Sequence, residues 1–261
     1  MTLQVLVAAV GQKPRELAAQ MHISSDAIII NQDDHFEYEE FSAGAGQVRA
    51  YSLVERGVGL SRNTGLLRAT ADIILFSDDD IVLQDDYADT IIEEFAAHPK
   101  ADIIIFNVQV DERRRTYENK DYRRIRWHNY GRYPTYGIAA RRGRLHETRV
   151  TFSLLFGGGA PYSSGEDSIF LHDCLKKGLK LYASPRYIGS ETYRQSTWFS
   201  GYSEKFFHDR GVAYRQLYGR LAKPFALRFL WTKRAEMCQE ISVRSAYKLM
   251  KSGIMNEQAV V

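Results

Sequence analysis

The chain has 261 residues, 44% apolar and 26% charged, enough for one large domain or two small ones around a sizeable core. Its two cysteines, Cys174 and Cys238, stand far apart, which argues against a disulfide scaffold or a zinc site and suits a reducing compartment. The net charge of +3 is unevenly spread: 111–149 carries +7 and 220–251 carries +6, leaving −10 on the remainder. An acidic first part and two basic segments predict attraction to an anionic partner by the later chain.

In chain order, the apolar opening 1–10 has no basic leader, is too short to cross a bilayer and runs into Gly11-Gln12-Lys13-Pro14. It reads as a first strand over 3–10. Further strands are predicted at 27–31, 48–53, 72–77 and 102–110, with helices at 14–21, 59–70 and 86–98 between them. The nearly continuous apolar runs Ala27-Ile28-Ile29-Ile30 and Ile103-Ile104-Ile105-Phe106 are typical of strands covered on both faces. In the third helix Tyr87, Ile91 and Phe95 form an apolar stripe, and Asp85 or Asp86 can cap its start. This alternation predicts an α/β domain with a mostly parallel sheet, whose ligands bind beyond the carboxyl ends of the strands.

The segment 111–136 is basic and aromatic. It is followed by predicted strands at 137–141 and 150–156, the run Gly157-Gly158-Gly159, and a helix opening at Gly165-Glu166-Asp167. That helix points Ile169, Phe170, Cys174 and Leu175 inward and stops at Lys176-Lys177-Gly178. A strand at 179–183 precedes a helical, amphipathic remainder from Trp198 onward. The domain reading is 1–195 as one catalytic unit, divided into 1–110 and 111–195, with 196–261 as a helical extension.

Three clusters stand out as sources of chemistry. Asp78-Asp79-Asp80 gathers three carboxylates at a strand end, either as a capped polar turn or as oxygen ligands for a divalent cation. Glu166-Asp167 opens a helix after a glycine-rich loop, where acidic residues complement the helix dipole or supply a general base. The stretch from Glu55 to Gly65 has glycines opening a helix, with Arg56 and Arg62 adding positive charge suited to an anion. It is neither a dinucleotide fingerprint nor a Gly-Lys-Ser/Thr phosphate loop.

Taken together, Arg62-Asn63-Thr64-Gly65, Ala71-Asp72-Ile73-Ile74-Leu75-Phe76, Asp78-Asp79-Asp80 and Glu166-Asp167 resemble the family 2 glycosyltransferases of the GT-A fold. The resemblance runs from about residue 3 to 184. It departs from the family pattern at Ala71, where a glycine is usual, and at Ser77, where the first aspartate often lies. It implies an inverting transferase that uses a nucleoside-diphosphate sugar, a UDP-sugar above all, in building a bacterial surface polysaccharide. Ala9, Val10, Gly11, Asn31 and Gln32 would receive base and ribose, and Asp78 the ribose hydroxyls. Asp79, supported by Asp78 or Asp80, would hold Mn2+ or Mg2+ on the diphosphate, with Arg56 and Arg62 assisting. Asp167 would be the general base and Glu166 would position the acceptor, a saccharide or lipid-linked saccharide. His208 is a candidate late metal ligand, or else a surface histidine, and Trp198 a candidate sugar-stacking ring.

The resemblance places the protein in the cytoplasm. The basic, apolar stretch 223–234 fits peripheral contact with the anionic inner face of the membrane. No nucleic acid is expected as a partner, although the stretch 111–127 keeps open a non-catalytic anion-binding protein on a degenerate transferase fold. A nucleotidyltransferase fits less well, because Val10-Gly11-Gln12-Lys13 is too short for its phosphate loop.

Overall fold

The computed structural model describes residues 1–112, 115–192 and 201–256. The first strand, β1 (Leu3–Val10), is followed by α1 (Pro14–Gln20), β2 (Asp26–Gln32), β3 (Glu37–Ala43) and β4 (Gly46–Leu53). Next come α2 (Val58–Arg68), β5 (Ile73–Asp78), β6 (Ile81–Leu83), α3 (Tyr87–Ala97) and β7 (Ile103–Gln109). The remainder comprises β8 (Arg123–Arg124), β9 (Ile138–Arg141), α4 (Arg142–Thr148), α5 (Glu166–Lys176), β10 (Leu181–Glu191) and the helices α6 (Glu204–Tyr218), α7 (Ala222–Met237) and α8 (Val243–Ile254).

All strands join one sheet in the order β3-β4-β2-β1-β5-β9-β7-β10-β6, with β8 on β10. The run β4-β2-β1-β5 is parallel. β9 inserts antiparallel between β5 and β7, and β3, β6 and β8 pair antiparallel at the margins. Alternation along each strand sorts its side chains into two cores. Val5, Val7, Ile29, Leu75 and Phe106 face the Tyr87, Ile91 and Phe95 stripe of α3. Leu6, Ile28, Ile30, Phe76 and Ile105 face the opposite side, against Leu66 of α2 and Phe170 of α5. The triple-isoleucine runs are therefore buried on both faces, as their sequence predicts. Asp86 occupies the N-cap of α3 but makes no side-chain capping bond.

The strand predicted at 150–156 does not form. Asn63 of α2 takes the place of a neighbouring strand: its amide nitrogen donates to the Phe152 carbonyl at 2.9 Å, and its oxygen accepts from the Phe152 N–H at 2.8 Å. The Phe152 ring stacks on Phe170 at 4.0 Å and meets Phe76 edge-on at 5.2 Å. The apolar run thus pins a loop over α2, and its backbone is satisfied by a side chain. Sequence reading also missed the β3–β4 hairpin. β3 is an edge strand whose side chains are exposed or half-exposed, so it shows no apolar pattern.

Helices α6–α8 build a third core from Phe207, Ala226, Leu230, Ala246 and Met250. α6 and α8 cross so closely that a Cβ on Gly211 would lie 2.1 Å from the Met250 carbonyl, and one on Gly253 2.1 Å from the His208 carbonyl. The buried Asp209 of α6 accepts from the Ser163 N–H at 2.9 Å, and Lys205 bonds both Asp209 and the Pro161 carbonyl. The helical bundle thereby holds the loop that leads into α5.

Asn63→Ala removes both bonds to Phe152 and leaves a backbone N–H and C=O without partners. The expected loss is about 1–3 kcal/mol, seen as a lower urea midpoint at unchanged slope.

Candidate functional site

The parallel strands β1, β2, β4 and β5 end on one edge of the sheet, bringing Gly11, Asp33, Leu53 and Asp78 to the same side. Asn31 organises the first part of this edge. Its amide donates to the Gln12 carbonyl, to Asp33 at 2.8 Å and to Ser52 at 3.2 Å, while its oxygen accepts from the Gln12 N–H. A cleft of about 400 Å3 opens here, lined by Gly11, Gln12, Lys13, Asp33, His35 and Ser52 among others. Ala9 is buried within β1, and Val10 is exposed at its end. Gln32 turns away from the cleft, its side-chain oxygen accepting from the Gly57 N–H at 2.7 Å. Arg56 is exposed and donates to the carbonyls of Asp33 and Glu55.

The centre of the edge is Arg62. Its side chain is only 4% exposed, and its guanidinium faces Asp78 at 2.8 Å, Asp167 at 3.2 Å and Glu166 at 3.8 Å. Burial opposes a charged arginine, but Asp78, Asp167 and Glu166 outweigh that cost and raise its pKa above the ordinary value. α2 is fixed in place by Asn63 and by the Val58 N–H, which donates to the Gly158 carbonyl at 2.9 Å. Gly157 has φ +106°, and a Cβ there would sit 2.6 Å from Val58 and 2.9 Å from the Glu166 carboxyl carbon. Only glycine lets this loop close over Glu166.

Burial, then the neighbouring Asp167, pushes the Glu166 carboxyl up to about 7. Burial also raises Asp167, against the pull of Arg62 and of the Thr135 hydroxyl, which donates to its Oδ1. Thr135 and Tyr136 carry no motif that marks them in the sequence. The Tyr136 hydroxyl is raised by burial and then by Glu191, Asp78, Asp167 and Asp80, which places it among the carboxylates.

Asp79 and Asp80 occupy the turn between β5 and β6, and the Asp80 carbonyl accepts from Thr192 N–H at 2.8 Å. Burial, then the like charges of Asp78, Glu191 and Asp79, pushes Asp80 up to about 7. Aspartates at a strand end offer hard oxygen donors of the kind Mg2+ or Mn2+ takes. His208 is half-buried on α6, with Nδ1 3.4 Å from Asp209. Among the described residues, the group of potential ligands whose donor atoms lie within 4.8 Å of one another is Asp33, Asp34 and His35, on a largely exposed turn. Trp198 lies outside the described residues. A second cavity, of about 500 Å3, runs from Glu166 and Asp167 to α6, where Lys205, Phe206 and Arg210 line it with Ser164.

The family model described as Glycosyl transferase family 2 matches residues 18–156, more than half of the sequence. The chain belongs to glycosyl transferase family 2. No curated protein matches it. Among solved structures, S. aureus TarS 1-349 in complex with UDP-GlcNAc superposes with TM-score 0.61 at 13% identity, over 92% of this chain and 74% of that one. TarS 1-349 without that ligand gives 0.63 at 11% identity, over 100% and 81%. A further TarS structure gives 0.63 at 12% identity, over 100% and 49%. At these identities the likeness concerns the fold, an α/β fold of the GT-A type. The neighbours Arg62 and Asn63 have separate physical tasks here: one gathers carboxylates, and the other anchors the Phe152 loop.

Arg62→Gln strands three carboxylates in a partly buried site, and the expected destabilisation is about 3 kcal/mol at pH 8. Arg62 holds the Glu166 carboxyl down, so without it that pKa rises above the wild-type value of about 7. The variant then takes up a proton where the wild type does not, and the deficit should narrow as pH falls from about 8 towards 7. Urea unfolding of both proteins across this range measures it.

Proposed function

We propose that this family 2 glycosyltransferase is inverting and metal-dependent, and moves a sugar from a UDP-sugar to a saccharide hydroxyl. The observation that carries the proposal is the placement of Asp78, at the end of β5, and Asp167, at the head of α5, on one buried guanidinium. Donor-side and acceptor-side carboxylates are thereby held in fixed relation.

The UDP-GlcNAc and UDP complexes of the structurally similar TarS support a uridine diphosphate donor. The cleft lined by Gly11, Gln12, Asp33 and Ser52, held in shape by the buried Asn31, offers hydrogen-bonding groups for base and ribose, and Asp78 would receive the ribose hydroxyls. Asp79 and Asp80 would hold the divalent cation, which supplies charge stabilisation to the departing diphosphate. Asp167 takes the proton of the acceptor hydroxyl as its oxygen bonds to the anomeric carbon. The bond from that carbon to the diphosphate oxygen breaks on the opposite side, and UDP leaves with the electron pair. Thr135 and Arg62 fix Asp167 through one oxygen, leaving the other to meet the acceptor. Glu166, beside it, orients the acceptor.

The C-terminal helices support action at a membrane surface. α7 buries only Ala222, Ala226 and Leu230, while Leu227 and Trp231 are 51% and 63% exposed among Lys223, Arg228, Lys233 and Arg234. Bulky apolar residues amid cations suit an anionic bilayer carrying a lipid-linked acceptor. Among the described residues no helix is long and apolar enough to cross a membrane.

The decisive test is a nucleotide-sugar screen by thermal shift with and without Mn2+, followed by assay of two variants. Asp167→Asn should keep donor binding and lose at least about a thousandfold in transfer, in the range of a missing general base. Asp79→Ala should lose the metal-dependent part of UDP affinity. Wild-type behaviour of both variants would sink the proposal. Because the base must be ionised and burial raises its pKa, kcat/KM should fall with acid along a limb lying above the ordinary aspartate range. In flotation with phosphatidylglycerol vesicles the protein should rise with the lipid, and Trp231→Glu should stay behind; recovery of the wild type wholly in the soluble fraction would refute membrane contact.

A further inference from the structure

Arg210 contrasts with Arg62 and Lys205 in its lack of a carboxylate partner among the described residues. Arg62 is matched by three carboxylates, and Lys205 by Asp209. Among the described residues no carboxylate pairs with Arg210. Its guanidinium carbon lies 5.2 Å from the Phe206 ring and 5.6 Å from the Phe229 ring, and its Nε is buried with no hydrogen-bond partner. The Ser164 hydroxyl is likewise buried without a partner. Both residues line the cavity of about 500 Å3 that Glu166 and Asp167 also line.

A partly desolvated cation and hydroxyl without partners are costly, and natural sites keep them where a ligand completes them. Stacking on aromatic rings fixes the guanidinium plane, and that plane matches the paired oxygens of a phosphate or carboxylate. An acceptor bearing such an anion would be held by Arg210 in the same cavity that Glu166 and Asp167 line. The excess of positive charge over 220–251 would add attraction for such a chain.

We propose that the acceptor is an anionic saccharide whose phosphate or carboxylate docks on Arg210 and Ser164. This rests on the transferase reading above. The test titrates full-length protein, saturated with UDP and Mg2+, with methyl phosphate and separately with methyl glucuronide. One of the two should raise the melting temperature saturably, and which one does so identifies the oxyanion. Arg210→Gln should weaken that anion about tenfold to a hundredfold, Arg210→Lys less, and Ser164→Ala about threefold to tenfold. Ser164→Ala and the lysine variant decide the matter if the glutamine variant does not fold. If both anions leave the wild type unshifted, or every variant responds as the wild type does, the anionic acceptor is ruled out. The UDP titration on the same sample is a separate check: absence of UDP binding overturns the transferase reading itself.

Discussion

A buried guanidinium must be matched by negative charge, and in this protein that requirement assembles the site. Arg62 sits on α2, yet its partners come from the end of β5 and the head of α5, 16 and 105 positions away in the sequence. Glu166 and Asp167 would not sit comfortably where they are without the arginine, because burial and neighbouring negative charge push them towards protonation. The arginine in turn would not remain buried without them. Each element is therefore held to the others by charge as well as by apolar packing. The exposed ion pairs at the surface, such as Lys13 with Glu16, carry no comparable weight.

The same electrostatics prepare two different tasks from one amino-acid type. At the β5–β6 turn, burial and the like charges of Asp78, Glu191 and Asp79 drive Asp80 up to about 7. At α5, burial raises the proton affinity of Asp167 against the pull of Arg62 and Thr135, which fix its orientation. Carboxylates gathered at a strand end suit a cation. A single tethered, partly desolvated carboxylate at the other suits proton transfer.

The α6–α8 bundle is coupled to this centre by apolar and polar contacts together: Val212 and Ala213 of α6 pack with Phe156 and with Ile169 of α5. Asp209 is only 2% exposed but bonds the Ser163 backbone and Lys205, so the loop before Glu166 is positioned by a helix that follows it in the chain. The cavity between them is lined by Glu166 and Asp167 and by Arg210. It derives its walls from the catalytic fold on one side and from the bundle on the other.

The sequence by itself determined the strands buried on both faces, because runs such as Ala27-Ile28-Ile29-Ile30 admit little else. It also placed Asp78–Asp80 at a strand end and Glu166-Asp167 at a helix start, since local pattern governs both. Only the tertiary structure decided what those residues face. It showed that Arg62 joins the two clusters, and that Gln32 and Arg56 serve the turn before α2. It also turned the apolar run 150–156 into a loop, because the Asn63 side chain supplied the bonds a strand would have given. Periodicity reports burial along one element. The partner of a charge is chosen by long-range folding, and no local pattern records it.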